Sequence, residues 1–167
     1  MKSRERLANL GHPPEDFMRQ AIKLSLENVR SDKGGPFAAL VVRGGRIIGR
    51  GTNQVTSKND PTAHAEIVAI RQACTSLKDF QLRGCELYAT SEPCPMCLGA
   101  IYWARLSRLY FANTKEDAAA IGFDDSHIYQ EFALPPASRE IQTIQLLRSE
   151  ALAAFREWEA KPDKEMY

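Results

Sequence analysis

Residues 85–105, CELYATSEPCPMCLGAIYWAR, decide the fold because they join an apolar strand directly to a helix. The first seven residues form a short apolar run that is typical of a buried strand. Cys94 and Cys97 open the following helix, where a spacing of three residues places both on one face. The helix dipole at this end favours thiolate over thiol. Three interpretations of the two cysteines are open: a redox pair, a part of the core, or half of a metal site.

Helices and strands alternate on both sides of this stretch. The pattern predicts a helix from the prolines at 13 and 14 to about residue 30, and two strands near 37–43 and 46–52 joined by Gly44-Gly45. Asp60-Pro61 is a helix-start signal ahead of TAHAEIVAIRQAC. A short strand in SRLYFAN, a last strand in IQTIQLL (141–147) and a last helix follow. We therefore predict an α/β fold, a three-layer α/β/α sandwich around a five-stranded mixed sheet.

Composition narrows the class of partner. Lys and Arg number 22 and Asp and Glu 21, a net charge of +1, whereas polyanion binders usually carry a basic surplus. We expect a small-molecule partner and no nucleic acid. The apolar runs are too short for a membrane span, and the first residues lack the features of a signal peptide, so we expect a cytoplasmic protein with reduced thiols and no membrane partner. Residues 1–13 should form a flexible arm, and residues 14–167 one domain.

A second motif, His64-Ala65-Glu66, explains the two cysteines better than either simpler interpretation. Two thiolates and one imidazole are three ligands for a tetrahedral zinc ion whose fourth position stays open, as in catalytic zinc sites. Glu66 is two residues from His64, about 200° around a helix, so the two would point to opposite sides of a helix interior. Near a helix end, Glu66 can still approach the open position of the metal without binding it. The spacing H-x-E followed by P-C-x-x-C is typical of zinc deaminases of nucleobases. We expect one Zn²⁺ per subunit, with a bound water or hydroxide.

The other interpretations leave part of this pattern unexplained. If Cys94 and Cys97 formed a redox pair, the motif His64-Ala65-Glu66 would remain unexplained. A structural zinc site would need a fourth ligand, for which Cys74 and Cys85 are the candidates. Both are more typical of small core residues, one on the apolar side of a helix and the other inside a strand.

NDPTAHAEIVAIR and SEPCPMCLGAIYWAR together resemble the cytidine-deaminase-fold superfamily of zinc deaminases. Within it the chain is most similar to the bacterial guanine deaminases, through GGPFAALVV, AAAIGFDDSHIYQEF and a terminal tyrosine. The resemblance implies a cytidine-deaminase-like fold and hydrolysis of guanine, a purine base, to xanthine and ammonia in purine catabolism or salvage. It also implies a homodimer in which the C-terminal segment can be exchanged between subunits.

The resemblance implies a role for each residue that matches a family motif. The metal ligands are His64, Cys94 and Cys97. The catalytic residues are Glu66 and Asp125. The substrate-binding residues are Asn53, Phe37, Trp103, Asp125 and Tyr167. Simpler interpretations stay open for several of them: the aspartates at 124 and 125 as helix caps, Asn53 as a turn residue, the two aromatic residues Phe37 and Trp103 as core, and Tyr167 as a frayed terminus.

The hydrogen-bonding groups of guanine suit a carboxylate in the binding site better than those of adenine or cytosine. Guanine presents a ring N–H beside its exocyclic amine, and one carboxylate can accept from both. Adenine and cytosine place a ring acceptor there, which an ionised aspartate would repel. The alternatives are a deaminase of an amino-purine nucleoside such as guanosine, a tRNA adenosine deaminase, and a zinc-stabilised binding module without activity.

Overall fold

The computed structural model describes residues 13–166. They form two compact units, of which the first ends at Asp125 and the second begins at Ser126. The predicted N-terminal arm lies outside the described residues except for its last residue, and Tyr167 also lies outside them.

The first unit is built on a mixed sheet with the strand order β2-β1-β3-β4. Its strands are β1 (Ala38–Arg43), β2 (Arg46–Thr52), β3 (Cys85–Ser91) and β4 (Arg108–Asn113). β1 pairs antiparallel with both β2 and β3, and β3 pairs parallel with β4. The mixed sheet is as predicted.

The predicted number of five strands is wrong, because the sheet of the described residues has four. Residues 141–147, predicted as the last strand, are irregular. The side chains of Ile141, Ile144, Leu146 and Leu147 are exposed, and that of Ile141 reaches 80%. An apolar run favours a strand only where a neighbouring strand supplies backbone partners and a face to pack on, and residues 13–166 supply neither here.

Helices cover both faces of this sheet, as the three-layer prediction requires. The helices of the first unit are α1 (Pro14–Arg30), α2 (Val55–Lys58), α3 (Ala65–Leu77), α4 (Pro95–Trp103) and α5 (Lys115–Ala120). On one face the α1 residues Phe17 and Ala21 pack with Tyr88 of β3. On the other face Ala69 of α3 and Ile101 of α4 share one core cluster with the sheet.

Close packing of α3 on β2 sets the position of the functional end of this helix. A Cβ atom at Gly51 would collide with the carbonyl oxygen of Ala65, and one at Gly49 with that of Ala69. These two glycines let the helix backbone lie directly on the strand, which a side chain would prevent. The first turn of α3 is therefore held against the end of β2.

Helix α3 begins later than the Asp60-Pro61 signal predicted. Asp60 accepts hydrogen bonds from the backbone N–H of Thr62 (2.8 Å) and from its hydroxyl (2.7 Å). The aspartate therefore closes a local turn instead of capping the helix. His64 takes the N-cap position, and Ala65 is the first helical residue.

The second unit contains α6 (Ser126–Ala133), a 3-10 turn (Pro136–Ser138) and α7 (Arg148–Ala160). Arg139, which follows the 3-10 turn, is tied to the end of α6, since its Nε donates to the carbonyl oxygens of Glu131 (3.1 Å) and Leu134 (3.2 Å). Across residues 13–166, no helix has the length and apolar character that crossing a membrane would require.

Candidate metal centre and active site

The candidate metal centre lies at the N-terminal ends of two helices. His64 is the N-cap residue of α3 and Cys94 that of α4, both with extended backbone, and neither side chain caps its own helix. Cys97 is the third residue of α4 and is fully buried. Two helix N-termini therefore supply positive potential to the place where thiolates are needed.

The three predicted ligands come together in the geometry that zinc requires. Nδ1 of His64 lies 3.5 Å from Sγ of Cys94 and 3.6 Å from Sγ of Cys97. A tetrahedral site with ordinary Zn–S and Zn–N bond lengths separates such ligand atoms by about 3.6 Å. Of the His, Cys, Asp and Glu side chains in the described residues, these three cluster closely enough to hold a metal. The donor set and spacing fit zinc, with one position left for water.

The two thiols are hydrogen-bonded to each other, and this contact shifts their pKa values in opposite directions. Hydrogen bonding with Cys97, followed by hydrogen bonding with His64, lowers the pKa of Cys94 to about 4. The pKa of Cys97 is raised, first by its hydrogen bond with Cys94 and then by burial. The hydrogen bond with Cys94 also raises the pKa of His64. A divalent cation would supply the charge that keeps both cysteines as thiolates and the histidine neutral.

Glu66 lies beside the ligand group without belonging to it. Its side chain is 8% exposed, and its Oε2 accepts a hydrogen bond from Sγ of Cys97 at 3.5 Å. Burial raises the pKa of this carboxyl group. A buried carboxylate with a raised pKa next to an open metal position is suited to receiving and returning a proton.

The chain segment that carries Asn53 is tied to the residue before His64. The backbone N–H of Gln54 donates to the carbonyl oxygen of Ala63 at 2.9 Å. The backbone N–H of Asn53 donates to the carbonyl oxygen of Phe37 at 3.0 Å, so these two predicted substrate-binding residues are direct neighbours. Phe37 meets Phe123 edge to face, with ring centroids 4.8 Å apart. Sequence analysis missed Phe123, although it belongs to the segment GFDDS that carried the resemblance.

Asp125 lies within the electrostatic influence of Cys94. Its side chain is half-buried, and its pKa is raised first by burial and then by the negative charge of Cys94. Glu92 links the cysteine loop to the segment that leads to Asp125. The Glu92 Oε2 accepts from the backbone N–H of Lys115 at 3.3 Å, and its N–H donates to the carbonyl oxygen of Asn113 at 2.8 Å.

The remaining candidate residues are exposed or lie outside the described residues. Trp103 ends α4 and is 64% exposed, and Asp124 is exposed as well. Tyr167 lies outside the described residues. Cys85 belongs to the core and Cys74 packs against it, so neither supplies a fourth metal ligand.

Known proteins similar to this chain have a zinc-binding region where this chain has the candidate site. Residues 12–113 match the cytidine and deoxycytidylate deaminase zinc-binding region, which contains all three ligands and Glu66, and the chain belongs to this family of zinc deaminases. Its α/β fold is cytidine-deaminase-like.

Relatives within the family differ in how much of the chain they match. Guanine deaminase of Bacillus subtilis is 48% identical over 92% of this chain and 98% of its own, and its crystal structure superposes with a TM-score of 0.91 over 93% of this chain and 99% of its own. The structure of guanine deaminase from Nitrosomonas europaea is 33% identical, with a TM-score of 0.67 over 96% and 94% of the two chains. A tRNA-specific adenosine deaminase of Aquifex aeolicus is 46% identical over 59% of this chain and 64% of its own.

Proposed function

We propose that this protein catalyses the zinc-dependent hydrolysis of guanine to xanthine and ammonia. One observation carries the proposal: His64, Cys94 and Cys97 form a group that fits zinc, and the buried carboxyl group of Glu66 lies beside it. The similarity to a guanine deaminase over 92% of the chain supports it, because it extends beyond the zinc-binding region that ends at residue 113.

His64, Cys94 and Cys97 would hold the zinc ion, which would supply an activated water for attack on the carbon that bears the amine. Glu66 accepts the proton of the attacking water and donates it to the adjacent ring nitrogen. The same carboxylate then takes the second proton of that water, from the hydroxyl group now on the carbon, and delivers it to the departing amine, which leaves as ammonia. The raised pKa that burial gives Glu66 suits both directions of this transfer.

Asp125 selects the base. Its carboxylate accepts hydrogen bonds from the ring N–H and the exocyclic amine of guanine, while Asn53 and Phe37 hold the remaining edge and face of the purine. A base with a ring acceptor at that edge would point a lone pair at the carboxylate, which repels it, and would form no hydrogen bond there. Trp103 and Tyr167 complete the proposed binding set.

The direct test is ammonia release by zinc-loaded protein from guanine, guanosine, adenine, cytosine and an anticodon-loop RNA in parallel. Release from guanine alone is expected. Release from guanosine or from the RNA would keep the zinc chemistry but replace the proposed substrate. A folded, zinc-loaded protein that releases ammonia from none of the five would favour a binding module.

Replacing Asp125 with Asn should lower kcat/KM for guanine by about 100-fold or more, because the amide presents a donor where the carboxylate accepts. Steady-state kinetics on guanine measures the loss. Asp124→Asn is the matched control, with the same chemical change one residue earlier on an exposed side chain. Equal losses in both variants, or no loss in Asp125→Asn, would contradict the assignment.

We also propose a homodimer in which the C-terminal segment is exchanged between subunits. The apolar residues of this segment support it. Phe155 is 74% exposed, and Ile141, Leu146 and Leu147 are exposed as well. So extensive an apolar surface is typical of a region that another chain covers.

Exchange of the segment makes a testable prediction about mixed dimers. One subunit carries Glu66→Gln with an intact tail, and the other carries Glu66 but lacks residues 166–167. Each homodimer should be impaired, whereas the co-expressed, doubly tagged heterodimer should regain activity, because the intact tail serves the intact Glu66 of its partner. Ammonia release at matched zinc content measures the gain. A heterodimer no more active than the mean of the homodimers would contradict exchange.

The proposed location is the cytoplasm. All four cysteines are free thiols, and two of them are needed as zinc ligands. Reducing conditions preserve such ligands, whereas an oxidising compartment favours disulfides. Fractionation of the native cells is the corresponding measurement.

A further inference from the structure

Asn28 is a buried polar residue that the catalytic scheme does not use. It lies on the sheet-facing side of α1 and is 4% exposed. Its Nδ2 donates to the carbonyl oxygen of Gly35 and to that of Asn53, both at 3.0 Å. One side chain therefore joins the loop before β1 to the residue after β2.

The two segments that Asn28 joins also contact each other. Phe37 donates its backbone N–H to Gly35 (2.8 Å) and accepts from the N–H of Asn53 (3.0 Å). A Cβ atom at Gly34 would collide with the carbonyl oxygen of Asn53, so the loop backbone lies directly on that group. Asn28 thus closes a ring of backbone hydrogen bonds around two residues of the proposed binding site.

The orientation of the Asn53 side chain depends on this ring. Its Oδ1 accepts from the backbone N–H of Val55 at 3.3 Å, so its amide NH₂ is the group that can donate to a ligand. The peptide that Asn28 holds is the one that joins Asn53 to Gln54, and Gln54 is bonded in turn to Ala63. A change in this peptide would move the amide relative to His64.

We propose that Asn28 is a positioning residue for substrate binding, which fixes the Asn53 peptide so that the side-chain amide donates to an acceptor on the purine. This rests on the proposed function, since Asn53 is there a contact to guanine. Asn28 itself touches no substrate, and its effect on activity passes through Asn53.

A double-mutant cycle of Asn28→Ala and Asn53→Ala separates positioning from a merely structural role. In the wild-type background Asn28→Ala should raise KM for guanine by about tenfold and change kcat less, because the misplaced group binds the base. In the Asn53→Ala background the same change should alter kcat/KM by less than about twofold. The backbone carbonyl remains in Asn53→Ala, so Asn28→Ala should lower Tm equally in both backgrounds.

Ser25→Ala is the matched control on the same helix face. The Ser25 hydroxyl donates to the carbonyl oxygen of Pro36 at 2.6 Å, so its removal loosens the same loop without touching Asn53. It should lower Tm, and its kinetic effect should add to that of Asn53→Ala. If Asn28→Ala does not fold, Asn28→Ser enters the cycle in its place.

The cycle is measured as kcat/KM for guanine and as the Kd of xanthine. Additive effects of the Asn28 and Asn53 changes in both quantities would overturn the positioning role, as would unchanged values in Asn28→Ala. Failure of the wild type to deaminate guanine while it binds xanthine would overturn the proposed function alone. Failure to bind xanthine as well would count against both.

Discussion

Glu66→Gln will lower guanine turnover by about 10²–10⁴-fold while the protein keeps its zinc. Gln has the shape of Glu but cannot accept and return a proton in this cycle. The carboxylate lies beside the metal ligands and is not a member of their group, so its replacement removes no ligand. Steady-state ammonia release and zinc content per chain, measured on the same preparation, test both halves of the expectation.

Glu27→Gln is a suitable control, because Glu27 lies on α1 with its side chain 56% exposed. It should match the wild type in turnover, zinc content and Tm. Near-normal turnover in Glu66→Gln would overturn the proton-transfer role. Loss of zinc would instead show that Glu66 helps to hold the metal.

Cys97→Ala will abolish activity because it weakens zinc binding. The loss of affinity should exceed the roughly 10–100-fold that is usual when a residue that only hydrogen-bonds to a metal ligand is replaced. The change removes one of three protein ligands from a fully buried position in the first turn of α4. Added zinc should raise the Tm of the wild type, since a ligand that binds the folded state stabilises it, and should have little effect on the variant. Thermal unfolding with and without zinc measures this difference.

Cys74→Ala makes the same chemical change outside the metal group. Cys74 is half-buried against the core, so the variant should lose some stability and keep both zinc and activity. Full zinc content in Cys97→Ala would contradict the proposed ligand set. Loss of zinc in Cys74→Ala would indicate that Cys74 is a fourth ligand.

The spacing of residues within the two sequence motifs was enough to predict the metal ligands. Cys94 and Cys97 share a face because they are three residues apart at a helix start, and the dipole there acts on them whatever the rest of the chain does. The confirmed prediction of zinc rests on this spacing and on the nearby His64. The roles of Glu66, Asp125 and the binding residues stay predictions, and those of Asn53 and Phe37 gain support from their hydrogen-bonded contact.

Three features could not be read from local pattern. Residues 141–147 have the composition of a strand, but a strand needs partner backbone, which residues 13–166 do not supply to them. Asp60-Pro61 is a helix-start signal, but the hydrogen bonds of Asp60 to Thr62 close a turn first. The sequence around Asn28 did not indicate its role, because its partners Gly35 and Asn53 lie outside the helix, 7 and 25 residues away.

The sequence by itself determined which side chains can bind zinc and which layers of helix and strand surround them, because both depend on spacing within single elements. Only the tertiary structure decided how His64 meets two cysteines 30 and 33 residues away. The physical reason is steric. Gly49 and Gly51 allow α3 to lie directly on β2, and this close contact positions the first turn of α3, which follows His64.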